Sequence, residues 1–206
     1  MTSARVLVLV LGVAALSMMV AACGDDDDSG ADDQQITDAI TQAATSDDPA
    51  VCTEVQTAKF TQQTSGEPGE SAEQAVESCE RDAGDNVAEE VDVSEIEVDG
   101  DSATALAAVT GSLFDGQTLD IALVKEGDQW KLDEFRGFEG FDRDSLLAGF
   151  EEEISADPEA SPQARDCVIQ QMDSLSDEQL QAFFVGSDPQ SEEQIFRPCE
   201  KFFQGE

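Results

Sequence analysis

The hydrophobic period changes from about 3.6 residues to two near Val91, and that switch sets the order of the elements on either side of it. Before it, Ile36, Ala39, Ile40, Ala43 and Ala44 recur at three- and four-residue spacing, the stripe of an amphipathic helix. Asp48-Pro49 reads as the start of a second helix, with aspartate as cap and proline in the first turn. Val51, Val55 and Ala58 form its apolar face, with Cys52 at the edge. After the Gly66–Gly69 turn, Ser71 caps a third helix in which Ala72, Ala75, Val76 and Cys79 share a face, so Cys79 points inward toward Cys52. Beyond the switch, Val91 and Val93 alternate, then Ile96 and Val98 alternate with the phase moved by one, which predicts a bulge. Asp99-Gly100-Asp101 turns the chain, and Ser102 to Phe114 is a long β-like run broken by Gly111. After the Asp115-Gly116 turn Leu119, Ile121 and Leu123 alternate, and Glu126-Gly127-Asp128 leads into Trp130 and Leu132. Three helices followed by a four-stranded antiparallel meander make an α+β fold.

Residues 1–22 follow neither period. Arg5 is the only charged side chain before Asp25, and Val6 to Val20 is almost unbroken apolar sequence, the plan of a secretory signal peptide. The run falls short of the about twenty residues that span hydrocarbon comfortably. Val20-Ala21-Ala22-Cys23 resembles the lipobox of bacterial lipoproteins. The resemblance implies a diacylglyceryl thioether on Cys23, cleavage just before it, and export to the outer face of the cell membrane, where two or more acyl chains anchor stably. Residues 23–33 then form a lipidated acidic tether, with six aspartates between Gly24 and Asp33. Such a segment buries no apolar surface and is expected to stay extended and solvated.

Five cysteines less the lipidated one leave Cys52, Cys79, Cys167 and Cys199, an even set that argues for two disulfides in an exported chain. Four cysteines permit three pairings. Cys52–Cys79 and Cys167–Cys199 are favoured because each pair brackets a locally coherent segment. A metal site is disfavoured, because no two of the four form a C-x-x-C and the chain has no histidine.

Three short helices, then Val98-Asp99-Gly100-Asp101-Ser102-Ala103-Thr104, then Leu123-Val124-Lys125-Glu126-Gly127-Asp128-Gln129-Trp130-Lys131-Leu132 resemble the nuclear transport factor 2-like superfamily. The likeness is to its exported actinobacterial lipoproteins, which end in a strand, a "KEDG" type turn, "WK" and an apolar residue. It covers residues 34–136, half the chain, and implies a cone: a curved sheet wrapped on a helix, with a cavity open at one end. Leu119, Ile121, Leu123, Trp130 and Leu132 share one sheet face and line either a filled core or an apolar pocket. The alanines from Ala103 to Ala108 leave room for a helix or for a ligand. Enzymes of that superfamily work with aspartate, histidine and tyrosine, and this chain has neither histidine nor tyrosine. Proton transfer would fall to carboxylates or lysine. Asp120 and Asp133 alternate away from the apolar face and, with Glu134, read as solvated residues, so no catalytic residue carries over.

Residues 137–160 read as a connecting helix and linker, capped by Asp142 or Asp144 and carrying Leu146, Leu147 and Phe150. Residues 161–206 read as a small all-α tail. Ser161-Pro162 opens a helix with Ala164, Cys167, Val168 and Met172 on one face, and Ser176-Asp177-Glu178-Gln179 is a capping box. Leu180, Phe183 and Phe184 follow until Gly186, and a last helix carries Ile195, Cys199, Phe202 and Phe203, with Pro198 kinking it. A module of about 45 residues needs a staple such as Cys167–Cys199.

The formal charge is −37, and loss of Arg5 with the leader leaves nine basic against 47 acidic side chains. Nucleic-acid binding needs a basic footprint, which is missing. There is no phosphate loop, no G-x-S-x-G and no EF-hand loop. The expectation is a membrane-anchored, non-catalytic envelope lipoprotein without cofactor, binding a small molecule or peptide in the cone. A structural or protein-interaction role at the envelope is the alternative, and a carboxylate-dependent isomerase or hydrolase ranks last.

Overall fold

The computed structural model describes residues 27–66, 69–156, 160–186 and 189–203, so the leader, the lipobox with Cys23 and the first residues of the tether lie outside the described residues. The first described element is helix α1, Asp27–Thr45. Its start overturns the expectation that the acidic segment stays extended as far as Asp33. Aspartates in a first turn favour a helix through its dipole. In addition, the Asp32 carboxylate accepts hydrogen bonds from Lys125 Nζ at 2.7 Å and Trp130 Nε1 at 2.9 Å. Ile36, Ala39 and Ile40 form the buried stripe of α1.

The expected second helix is broken in two: α2 is Val51–Glu54 and α3 is Ala58–Ser65. Between them the chain pairs with the sheet edge. Leu132 N–H donates to Val55 O, Thr57 N–H donates to Leu132 O, and Gln56 forms a parallel bridge to Leu132. Thr57 then caps α3 by accepting from Phe60 N–H. Val51, Cys52 and Val55 are buried as a separate cluster, whereas Ala58 is exposed instead of sharing their face, because the break resets the helical phase. Helix α4, Ala72–Arg81, begins with a Ser71/Gln74 capping box. The Cys52–Cys79 disulfide joins α2 to α4 across 6.1 Å between Cα atoms.

Four strands follow: β1 Glu90–Asp99, β2 Ser102–Thr110, β3 Thr118–Glu126 and β4 Gln129–Gly140, an antiparallel sheet in the order β1-β2-β3-β4. The register of β1 slips between Ser94 and Glu97, where the sequence phase moves, and Glu95 takes φ 50° there. Ala103, Ala105, Ala107 and Val109 alternate inward on β2, opposite Ile121 and Leu123 on β3 and beside Leu132 and Phe135 on β4. The small β2 side chains let α1 lie close to the sheet, where Ile36 and Ile40 join the same core. Strand β4 runs four residues past 136.

Helices α5 Arg143–Ala156, α6 Pro162–Asp173, α7 Asp177–Phe184 and α8 Pro189–Phe196 form the C-terminal part. A single 3-10 turn at Arg197–Cys199, where Pro198 interrupts the helix, leads to α9, Glu200–Phe203. Leu146 of α5 is buried with Val168, Met172, Leu180, Ile195 and Cys199, so α5 packs into the tail's core and is more than a connector. Cys167 and Cys199 are disulfide-bonded, tying α6 to the last turn. Phe114 and Phe138 belong to both cores, and Phe114 makes edge-to-face contacts with Phe135 at 5.9 Å and Phe184 at 6.0 Å. Gln63 of α3 adds a polar seam: its amide accepts from Phe135 N–H and donates to Phe135 O and Val185 O.

Candidate functional site

A cavity of about 710 Å³ opens between α1, α3 and one end of the sheet. Its inner wall is apolar: Ile40 and Ala43 from α1, Phe60 from α3, Val109 from β2, and Leu119 and Ile121 from β3. Leu132 and Phe114 contribute beside them, and the Cys52–Cys79 bridge forms part of the wall. A disulfide in the wall fixes the distance between α2 and α4, which bounds the space.

The mouth is built from the loop after α4 and the turn between β2 and β3. Ala88 N–H donates to Ala44 O at 2.8 Å, holding the loop on the end of α1. Asn86 Oδ1 accepts from Leu113 N–H at 2.8 Å, and Asp115 Oδ1 accepts from Gly111 N–H at 2.6 Å. Gly111 takes φ 75° with Glu89 packed beneath it; a side chain there would strike the Glu89 backbone and Cγ. A second cleft of about 680 Å³ continues from the same mouth toward α5 and shares Asp85, Val87, Ser112 and Glu153 with the first.

The charge at this mouth is one-sided. Asp82, Asp85 and Glu153 line the cavity, and Glu89, Asp115 and Glu152 line the adjoining cleft; neither lining contains a lysine or arginine. Burial pushes the Glu153 carboxyl above its ordinary range, and the nearby charge of Asp85 pushes in the same direction. Glu153 stands at the rim and is only partly enclosed, its residue remaining exposed to solvent.

Of the side chains expected to line a pocket, Leu119, Ile121 and Leu132 do line this one. Leu123 and Trp130 do not: they lie in the packed core toward the β3–β4 turn, under the first turns of α1. Trp130 is 3% exposed, and its indole is tied to Asp32. The outward carboxylates are ion-paired away from the cavity. Asp120 lies 3.5 Å from Arg136, while Asp133 and Glu134 share Lys59 at 3.0 Å and 2.7 Å. Sequence reasoning missed Asp32, placed in the tether, and gave Glu153 no role. The one available signal for Asp32 was the chain's only tryptophan, whose indole N–H needs an acceptor once buried.

Among the described residues no group of histidine, cysteine, aspartate and glutamate is arranged to hold a metal ion, and no helix is long and apolar enough to cross a membrane. No protein-family model, no curated protein and no solved structure matches the chain.

Proposed function

We propose that the chain is an exported envelope lipoprotein, held at the membrane through Cys23, that binds an apolar small molecule or the apolar side of a peptide in a nuclear transport factor 2-like cone. The observation that carries this reading is the cavity of about 710 Å³, within the ~300–1,000 Å³ typical of ligand sites and lined mainly by apolar side chains. The element order, helices first and then a four-stranded meander, is the order that superfamily uses. Two disulfides suit an oxidising, exported compartment. Binding without turnover is favoured because the lining's carboxylates, Asp82, Asp85 and Glu153, belong to exposed residues at the rim, while the inner wall is apolar.

Native mass spectrometry of the mature chain carrying Cys23→Ser, exported to an oxidising compartment, tests the reading. A bound extra mass lost on activation is expected. The Ala43→Trp variant, which puts an indole into the cavity, should lose it while keeping the fold by circular dichroism. A bare polypeptide mass under gentle ionisation, with no uptake of any added apolar probe, would turn the reading toward a protein-interaction role.

A further inference from the structure

We infer that the cavity selects a cationic amphiphile, a molecule with a short apolar body and an amine or quaternary ammonium head; this rests on the binding reading and names its ligand class. The cavity itself makes the site, because its inner wall of Ile40, Phe60, Val109 and Ile121 has no charged group to satisfy a polar ligand. The rim then chooses the sign of the head. Asp82, Asp85 and Glu153 form no ion pair among the described residues, whereas the carboxylates outside the cavity at Asp120, Asp133 and Glu134 all do. Asp85 and Glu153 line both the cavity and the adjoining cleft, and the charge of Asp85 helps hold the Glu153 carboxyl above its ordinary range. A cationic head seated between them replaces that repulsion with two attractions. An anionic head would meet carboxylates and neutral hydroxyl and amide groups, with no lysine or arginine in either lining to receive it.

An apolar body is required as well as the positive charge. A bare metal ion lacks a set of three ligands at this place or elsewhere among the described residues. A fully polar cation would leave the apolar wall wet. Val87, 38% exposed and lining both clefts, offers apolar surface at the rim for the part of the chain nearest the head.

The test is isothermal titration of the Cys23→Ser mature chain with three octyl probes, octyltrimethylammonium, octan-1-ol and octanoate, each kept monomeric. The ammonium is expected to bind one to one, roughly five- to tenfold tighter than the alcohol at low salt, with octanoate weakest. In high salt, where the Debye length falls to ~3 Å, the advantage should shrink. Asp85→Asn with Glu153→Gln should bring the ammonium down to the alcohol and leave the alcohol unchanged. Glu97→Gln with Asp99→Asn, at the far end of β1, should change neither. Equal binding of ammonium and alcohol by the parent would overturn the head-group assignment and leave the binding reading standing. So would a loss at the remote pair equal to that at the rim pair, since the chain's general acidity would then explain the preference. Failure of all three probes, together with a bare mass in native spectrometry, would overturn both.

Discussion

Asp32 is a single carboxylate with two structural duties. It accepts from Lys125 and from the indole of buried Trp130, and these bonds, the lysine's first, hold its carboxyl below the ordinary 3.8. Because the folded group titrates below the unfolded one, its stabilisation is complete above about pH 3.8 and is lost as pH falls through the lowered value. Lys125 is raised above its ordinary 10.5 chiefly by the same hydrogen bond, so its share is lost only as pH rises past that range. Asp32→Ala leaves the indole N–H without its acceptor in a buried place. The melting temperature at neutral pH is expected to fall by roughly 2–6 °C. The gap to the parent should close in acid, measured by circular dichroism melts across pH. An unchanged melt at pH 7 would mean that water replaces the carboxylate without cost.

At the scale of elements, α5 touches the turn between β2 and β3 closely at Gly149, beside the cleft. A methyl group on Gly149 would stand 2.6 Å from the carbonyl oxygen of Leu113, a backbone atom that cannot swing aside. Gly149→Ala is expected to cost about 1–3 kcal/mol despite the better helix propensity of alanine. Urea denaturation would register it, and a gain in stability would show that α5 rides more loosely than the contact implies. The elements differ in how far local sequence specifies them. The strands and the slip near Glu95 were legible because alternation is a local property, as were the serine caps of α4, α6 and α7. The break between α2 and α3 was not legible, since its cause is the backbone of Leu132, distant in sequence, bonding Val55 and Thr57. The mouth of the cavity was hidden for the same reason: its loop, the β2–β3 turn and α5 meet only in the folded chain. Periodicity identified the sheet face that holds Leu119, Ile121, Leu123, Trp130 and Leu132, but not where along it the packing opens.

For the whole molecule, the two disulfides staple different parts. Cys52–Cys79 closes a loop of 27 residues in the wall of the cavity, and Cys167–Cys199 closes 32 residues within the tail. Each is expected to contribute about 3 kcal/mol by restricting the unfolded chain. Replacing either pair with serine should therefore lower stability similarly in urea denaturation. Only the Cys52/Cys79 variant should also lose the bound mass or the octyl probes, because only that bridge bounds the cavity. Loss of ligand in both variants would mean that the tail holds the cavity's shape through the Phe114 contacts.

Helix α1 runs from the Asp32 pin beside the β3–β4 turn to Ala43 and Ala44 at the cavity. Those two stations stand about 18 Å apart along its axis. With a lipid on Cys23, Asp27 is only four residues from the bilayer anchor, a reach of at most ~14 Å. Under the proposed anchoring the β3–β4 turn would be the membrane-proximal pole and the acidic opening the distal one. If the proposed anchoring and binding both hold, a pocket so aimed would receive its cargo from the surrounding medium and not from the lipid beneath.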